Sequence, residues 1–317
     1  MKLLKWIYAQ RKVFIGLLMS AAAIFYIYKR IDLSLLLRVQ AEFHLNYLPL
    51  YLLIFLVTFL AFALRWWFVN ESKGSVWTSF KATLLASGGN ALLPARGGDV
   101  LRMLYFKQKT NQPVSVSAVR AIVEKGLDLP ILLSTVMITF SLFQKDMRIL
   151  LVPAGLLIVI VCILVLIKLK PDLLTAVIHR VESFLKRDRT EKSEMKFLPS
   201  TSFLTYSFLM TAFMWYVPVL LLYGVFLKLV GLEFSVSWSL LLILFAALGV
   251  ALPSAPSGLG VFHASIASAF ELLGYSIEVG LFYATILHAL LNIPPALLAI
   301  VVYLMDYDTA SRNNDTT

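Results

Sequence analysis

Arg120, Glu124 and Asp128 stand at i, i+4 and i+8 inside a long apolar run. That spacing places all three on one face of a helix. Charges within a hydrophobic segment are costly, so they face a protein interior or water and pair with one another. A second group, Arg96, Asp99 and Arg102, follows an interruption that reads Asn90-Ala91-Leu92-Leu93-Pro94-Ala95-Arg96-Gly97-Gly98-Asp99. The cluster admits two uses. In one, the charges are salt bridges that clamp two segments together. In the other, Glu124 and Asp128 hold Arg96, Arg102 or Arg120 in place while the surplus positive charge takes an anionic lipid phosphate, a target that suits the planar guanidinium. Asp99, in the first turn of a helix beginning near Gly97 and Gly98, is favourable to the helix dipole with or without a ligand.

A second interruption, Pro253-Ser254-Ala255-Pro256-Ser257-Gly258-Leu259-Gly260, is small and nearly uncharged. Gly258 and Gly260 permit close backbone approach. His263 follows it, and His288 and Asn292 lie i, i+4 on the last apolar run, ahead of Pro294-Pro295. Each histidine is either a buried hydrogen-bonding group or, if both face a cavity, a headgroup ligand or proton relay. Pro94 and Gly98 precede Pro256 and Gly260 by 162 residues in each case. Apolar segments broken at corresponding places in two halves point to a binding site between them. The backbone they free cannot face lipid.

The elements that must hold these residues are membrane helices. The chain has 317 residues, of which 60% are hydrophobic and 15% charged, with a mean hydropathy of +0.83. Soluble domains carry about 25% charged residues, so a polytopic membrane protein is expected. Its net charge of +10 fits the positive-inside rule and anionic lipid, and no nucleic-acid partner is expected. The lone Cys162 excludes an intramolecular disulfide. No catalytic or metal-binding signature appears, and no cofactor is expected.

Full-length candidates are Val13–Tyr28, Tyr47–Val69, Val114–Phe143, Ile149–Leu169, Phe203–Val230 and Val279–Met305. The first is read as a retained anchor rather than a signal peptide, because its apolar run continues past Ala21–Ala23. The segments flanking each interruption, Ala82–Leu93, Val236–Leu252 and Gly258–Leu273, are short or marginal. They are drawn as two re-entrant helical hairpins. Lys168–Lys196 carries eight basic residues, whereas Gly231–Glu278 has none and three glutamates. This asymmetry predicts six full spans with both termini cytoplasmic in the inner membrane. The same parity allows an inverted repeat of two span–hairpin–span units. The predicted division is a first membrane half over 1–169, a basic cytoplasmic connection over 170–200 and a second half over 201–317. Arg65, beside Trp66-Trp67, is read as a snorkelling residue in an interfacial aromatic belt.

The order Asn90…Pro94-x-Arg96-Gly97-Gly98-Asp99…Arg102, then Glu124-Lys125…Asp128, then Pro256-Ser257-Gly258-Leu259-Gly260-Val261-Phe262 resembles the lysylphosphatidylglycerol synthase transmembrane region, or flippase-like domain family. The resemblance covers nearly the whole chain. It implies an integral membrane protein that moves lipids, such as aminoacylated phosphatidylglycerol, between leaflets; some relatives accompany glycosyltransferases and lipid-linked sugars. The sequence departs from the family pattern at Asp99 (usually glutamate), Lys125 (commonly arginine), Ser257 (frequently glycine) and His263 (often glutamate). No soluble aminoacyltransferase segment is recognised. The leading expectation is a lipid flippase with a phospholipid or lipid-linked headgroup as its partner. Its alternatives are a membrane-embedded headgroup transferase with Glu124 or Asp128 as base, and a lipid-binding scaffold docking a soluble synthase or glycosyltransferase through residues 170–200. A small-solute transporter is a further rival.

Overall fold

The structure, a computed structural model, describes residues 43–93, 96–143, 198–251 and 255–314 together with residues 25 and 29; side chains are described as far as Asp306, except that of Pro256. The expected spans Val13–Tyr28 (apart from Phe25) and Ile149–Leu169, the connection over 170–197, Pro94 and Cys162 lie outside the described residues.

Among the described residues every regular element is helical. The first is α1 (Leu48–Val69), entered through a 3₁₀ turn at Leu45–Tyr47. A hairpin of α2 (Val76–Leu92) and α3 (Gly97–Thr110) follows, and then the long α4 (Val114–Phe143). Next, α5 (Thr201–Met214) runs through a π-helical turn, Trp215–Val219, into α6 (Leu220–Leu229). Pro218 sits inside that turn, whose wider spacing accommodates a residue without an amide hydrogen. The second hairpin is α7 (Val236–Ala251) and α8 (Val261–Leu272), and α9 (Ile277–Asn314) closes the bundle.

Among the described residues, four helical stretches are long and apolar enough to cross a bilayer: Leu45–Val69, Val114–Phe143, Thr201–Leu229 and Ile277–Asp306. They coincide with the second, third, fifth and sixth expected spans. The chain is a polytopic helical membrane protein. Its outward surface is correspondingly greasy, with Leu53 and Leu56 of α1, Leu209 of α5 and Leu297 of α9 exposed. Inside, Phe55, Phe226, Leu242, Ile266, Phe270 and Leu287 belong to one core that joins α1, α6, α7, α8 and α9.

Both interrupted segments form helix–break–helix hairpins. α2 starts at Val76, six residues before the expected Ala82, because Ser75 accepts the Thr78 amide at 3.0 Å and caps the helix. At 17 residues it is about 25 Å long, still short of a hydrocarbon core of about 30 Å. α3 lies almost backbone to backbone against it: a Cβ on Gly98 would fall 2.0 Å from the Ala86 carbonyl oxygen and 2.4 Å from the Asn90 nitrogen. Gly98→Ala is therefore expected to destabilise the protein by about 1–3 kcal/mol through overpacking. A Cβ at Gly126 meets nothing within 4 Å, so Gly126→Ala should be neutral or gain up to about 1 kcal/mol. Thermal melting of both variants in detergent checks the contrast.

The two units pack reciprocally. α9 lies along α2, and α4 lies against α7, so the last helix of each unit covers the first hairpin helix of the other. The α2–α9 crossing is tight at Gly88, where a Cβ would sit 2.5 Å from both Ala299 Cβ and the Pro295 carbonyl oxygen. Asp306 fastens the end of α9 to the first hairpin, accepting from Lys81 Nζ and from the Tyr105 hydroxyl at 2.7 Å each.

Candidate functional site

The sequence places candidate residues around both interruptions, and the fold sorts them into two groups. The first is a buried ionic clamp. α4 presents Arg120, Glu124 and Asp128 in the interior, each less than a tenth exposed. Arg65 of α1 pairs with Glu124 and, at 2.5 Å, with Asp128. Arg102 of α3 lies 3.0 Å from Glu124, and its guanidinium carbon sits 3.9 Å from the centroid of the Trp66 ring. Trp215, in the π-helical turn, donates its indole N–H to Asp128 at 2.9 Å. Arg120 belongs to a neighbouring contact, reaching Glu71 at 2.7 Å.

This arrangement revises two expectations. Glu124 and Asp128 are held by Arg65 and Arg102, not by Arg96 or Arg120. Among the described residues two guanidinium groups face two carboxylates, so the core of the cluster contains no surplus positive charge there. Its geometry is that of the clamp: α1, α3, α4 and the π-helical turn are tied at one place. The second revision concerns Arg65, which does not snorkel; it is 1% exposed. Trp66 is wholly buried edge-on against Phe106 rather than lying in an interfacial belt. Two acids one turn apart on a buried face require nearby cations. Arg65, set within the preceding span, was the sequence signal for one of them.

The second group lies where the hairpin tips meet. Arg96, beside the first break, donates from Nη2 to the Val250 carbonyl of α7 at 2.9 Å. Ser257, in the second break, donates its hydroxyl to the Ala91 carbonyl of α2, also at 2.9 Å. Each tip thus reaches into the opposite hairpin. Both residues hold left-handed backbone, with φ of 57° at Arg96 and 59° at Ser257. Such a conformation costs a non-glycine residue about 1–3 kcal/mol and persists only where surrounding structure imposes it. Gly258 and Gly260, at φ of 74° and 84°, complete the second turn.

His288 of α9 bonds through Nε2 to the Ser257 carbonyl at 2.9 Å. Its ring centroid lies 4.7 Å from that of His263 on α8, whose buried Nδ1 has no hydrogen-bond partner among the described residues. The two histidines therefore do converge on the second tip. Asn292 donates from Nδ2 to the His288 carbonyl of its own helix at 2.8 Å. Asp99 bridges neither group firmly. It lies 3.9 Å from Arg102, and its backbone N–H donates to Asn90 Oδ1 at 3.2 Å.

Comparison with known proteins agrees with this architecture. A family model described as the lysylphosphatidylglycerol synthase TM region matches residues 13–299. A UPF0104 membrane protein of Methanocaldococcus jannaschii is 28% identical over 234 residues, which cover 68% of this chain and 94% of the relative.

Proposed function

We propose, from the premise that this chain belongs to the lysylphosphatidylglycerol synthase transmembrane-region family, that it translocates an anionic or modified lipid headgroup across the cytoplasmic membrane. The family itself points to a membrane role connected with lipid. The meeting of the two tips supports the finer reading. Two breaks, each carrying a non-glycine residue in left-handed backbone, touch through Arg96 to Val250 and Ser257 to Ala91. Side chain-to-backbone bonds of this kind can be exchanged for bonds to a polar headgroup. Acyl chains stay in the lipid while the headgroup passes between the tips.

The ionic clamp supplies the fixed frame in this scheme. It holds α3 to α1 and α4, so that movement concentrates at the tips rather than at the base of the first hairpin. The two reciprocally packed units, read as an inverted repeat, rock about that contact to give alternating access. Headgroup transfer is less well supported, since Glu124 and Asp128 are each engaged by a guanidinium and neither is placed to act as a base.

The test is reconstitution of the full chain in vesicles containing trace fluorescent-headgroup lipids: phosphatidylglycerol, lysylphosphatidylglycerol and phosphatidylethanolamine. A membrane-impermeant quencher then reports how fast inner-leaflet probe reaches the outside. Accelerated exchange of at least one probe over protein-free vesicles is expected. Equal rates with and without protein for the whole panel would sink the proposal.

A further inference from the structure

A cavity of about 310 Å³ opens at the end of the bundle where α1 turns toward α2 and α3 toward α4. Asn70, Glu71, Lys73, Gln112, Val116 and Arg120 line it. It lies apart from the contacts between the tips, and none of the four charges of the clamp lines it.

Its walls are built rather than incidental. Asn70 is wholly buried and gives its amide hydrogen to the Trp66 carbonyl at 2.8 Å. Gln112, 2% exposed, donates to Asn70 Oδ1 at 2.5 Å and to Ser117 Oγ at 2.9 Å. Around the cavity Glu71, Ser72 and Asn111 all hold left-handed backbone, with φ of 56° to 57°. Three non-glycine residues in that conformation concentrate strain at one place, a pattern found at ligand clamps.

The charge is uneven. Lys73 and Arg120 oppose the single carboxylate of Glu71, which is already engaged by Arg120 at 2.7 Å and by the Ser200 amide at 2.8 Å. Lys73 has no carboxylate partner among the described residues. α4 also begins here without an acidic residue in its first turn, so the helix dipole adds to the positive potential. The volume lies at the lower end of small-ligand sites, about 300–1,000 Å³.

We infer that this cavity binds a phosphate ester, with Lys73 and Arg120 meeting the phosphate oxygens and the Asn70–Gln112 pair fixing the wall behind them. A phosphodiester oxygen can meet the Lys73 ammonium without displacing a carboxylate, since none pairs with Lys73 among the described residues. The phosphate can come from a phospholipid headgroup or from a soluble ester. This site does not depend on translocation.

The experiment uses the purified full chain in detergent micelles. Native mass spectrometry reads retention of phosphatidylglycerol against diacylglycerol with the same acyl chains, and calorimetry reads binding of glycerol 1-phosphate and inorganic phosphate. Selective retention of phosphatidylglycerol is expected, with affinity falling about tenfold in Lys73→Gln, the size of one lost charge-assisted contact. Lys73→Arg should restore it. Val116→Phe, which fills the cavity without altering a charge, should lose binding too; Lys73 is exposed, so its variants keep the test decisive if the Phe variant fails to fold. Binding of the soluble esters with the same Lys73 dependence would identify a soluble ligand, and binding of phosphatidylglycerol alone would identify a lipid. The inference is overturned if no phosphate-bearing probe exceeds its control, or if Lys73→Gln binds like the wild type. Lost binding with intact vesicle translocation would leave the proposed function standing, and the reverse would leave this site standing.

Discussion

Arg65→Gln is expected to destabilise the protein by about 3–5 kcal/mol, the cost of leaving a buried ion set short of one partner. Arg65 is 1% exposed and serves both Glu124 and Asp128. Without it, Arg102 alone faces two carboxylates, and one buried negative charge has no counter-ion. Glutamine is long enough to hydrogen-bond one acid but supplies no charge. Arg65→Lys should fall between the two, because an ammonium restores the charge without the planar fork that spans two acceptors.

A second variant gives this prediction its sign. Arg65→Met combined with Asp128→Asn removes one charge of each kind and leaves Arg102 with Glu124, which are 3.0 Å apart. The asparagine oxygen can still accept from Trp215. The double variant should therefore melt above Arg65→Gln, although it carries one more substitution. Removing a balanced pair from an interior is milder than breaking one. Circular dichroism melting in a fixed detergent decides the matter. If Arg65→Gln melts like the wild type, the guanidinium is reaching water and the snorkelling reading was right after all.

Much of the architecture was legible in the sequence, for physical reasons. The spans at Tyr47–Val69 and Val114–Phe143 could be read because lipid demands about 20 apolar residues in a row, and the structure places helices at Leu45–Val69 and Val114–Phe143. The second hairpin was nearly as clear, since Pro253, Pro256, Gly258 and Gly260 crowded together disfavour a continuous helix. The onset of α2 was less so: Ser75 caps a segment whose first turn contains Trp77, Ser79 and Lys81 nearby, too polar to register as membrane helix. The site was harder. Helical periodicity put Arg120, Glu124 and Asp128 on one face, but it carries no information about which distant residue arrives there. Arg65 and Trp215 come from 59 and 87 positions away from their respective partners Glu124 and Asp128. Charge proximity along the chain favoured Arg96 as a member of the cluster. Its left-handed backbone at the break turns it instead toward Val250, 154 residues on.

Joining the tips should stop translocation. Among the described residues, Arg96 to the Val250 carbonyl and Ser257 to the Ala91 carbonyl are hydrogen bonds that connect the hairpins there. Each contributes about 0.5–1.5 kcal/mol net, so parting these two bonds costs roughly 1–3 kcal/mol and leaves an open population of about 0.6–15%. A covalent link removes that population. Cys162 is the chain's only cysteine, which makes Cys162→Ala a clean background for Ala91→Cys with Ser257→Cys. After closure by a short thiol-to-thiol crosslinker containing a reducible disulfide, verified by mass, headgroup exchange in vesicles should fall to the protein-free rate. Reduction of the linker should restore it. Before closure, the double variant lacks the serine hydroxyl bond and should exchange at least as fast as its background. A crosslinked protein that still exchanges lipid at the uncrosslinked rate would mean that the tips never part, and that any headgroup path runs elsewhere in the bundle.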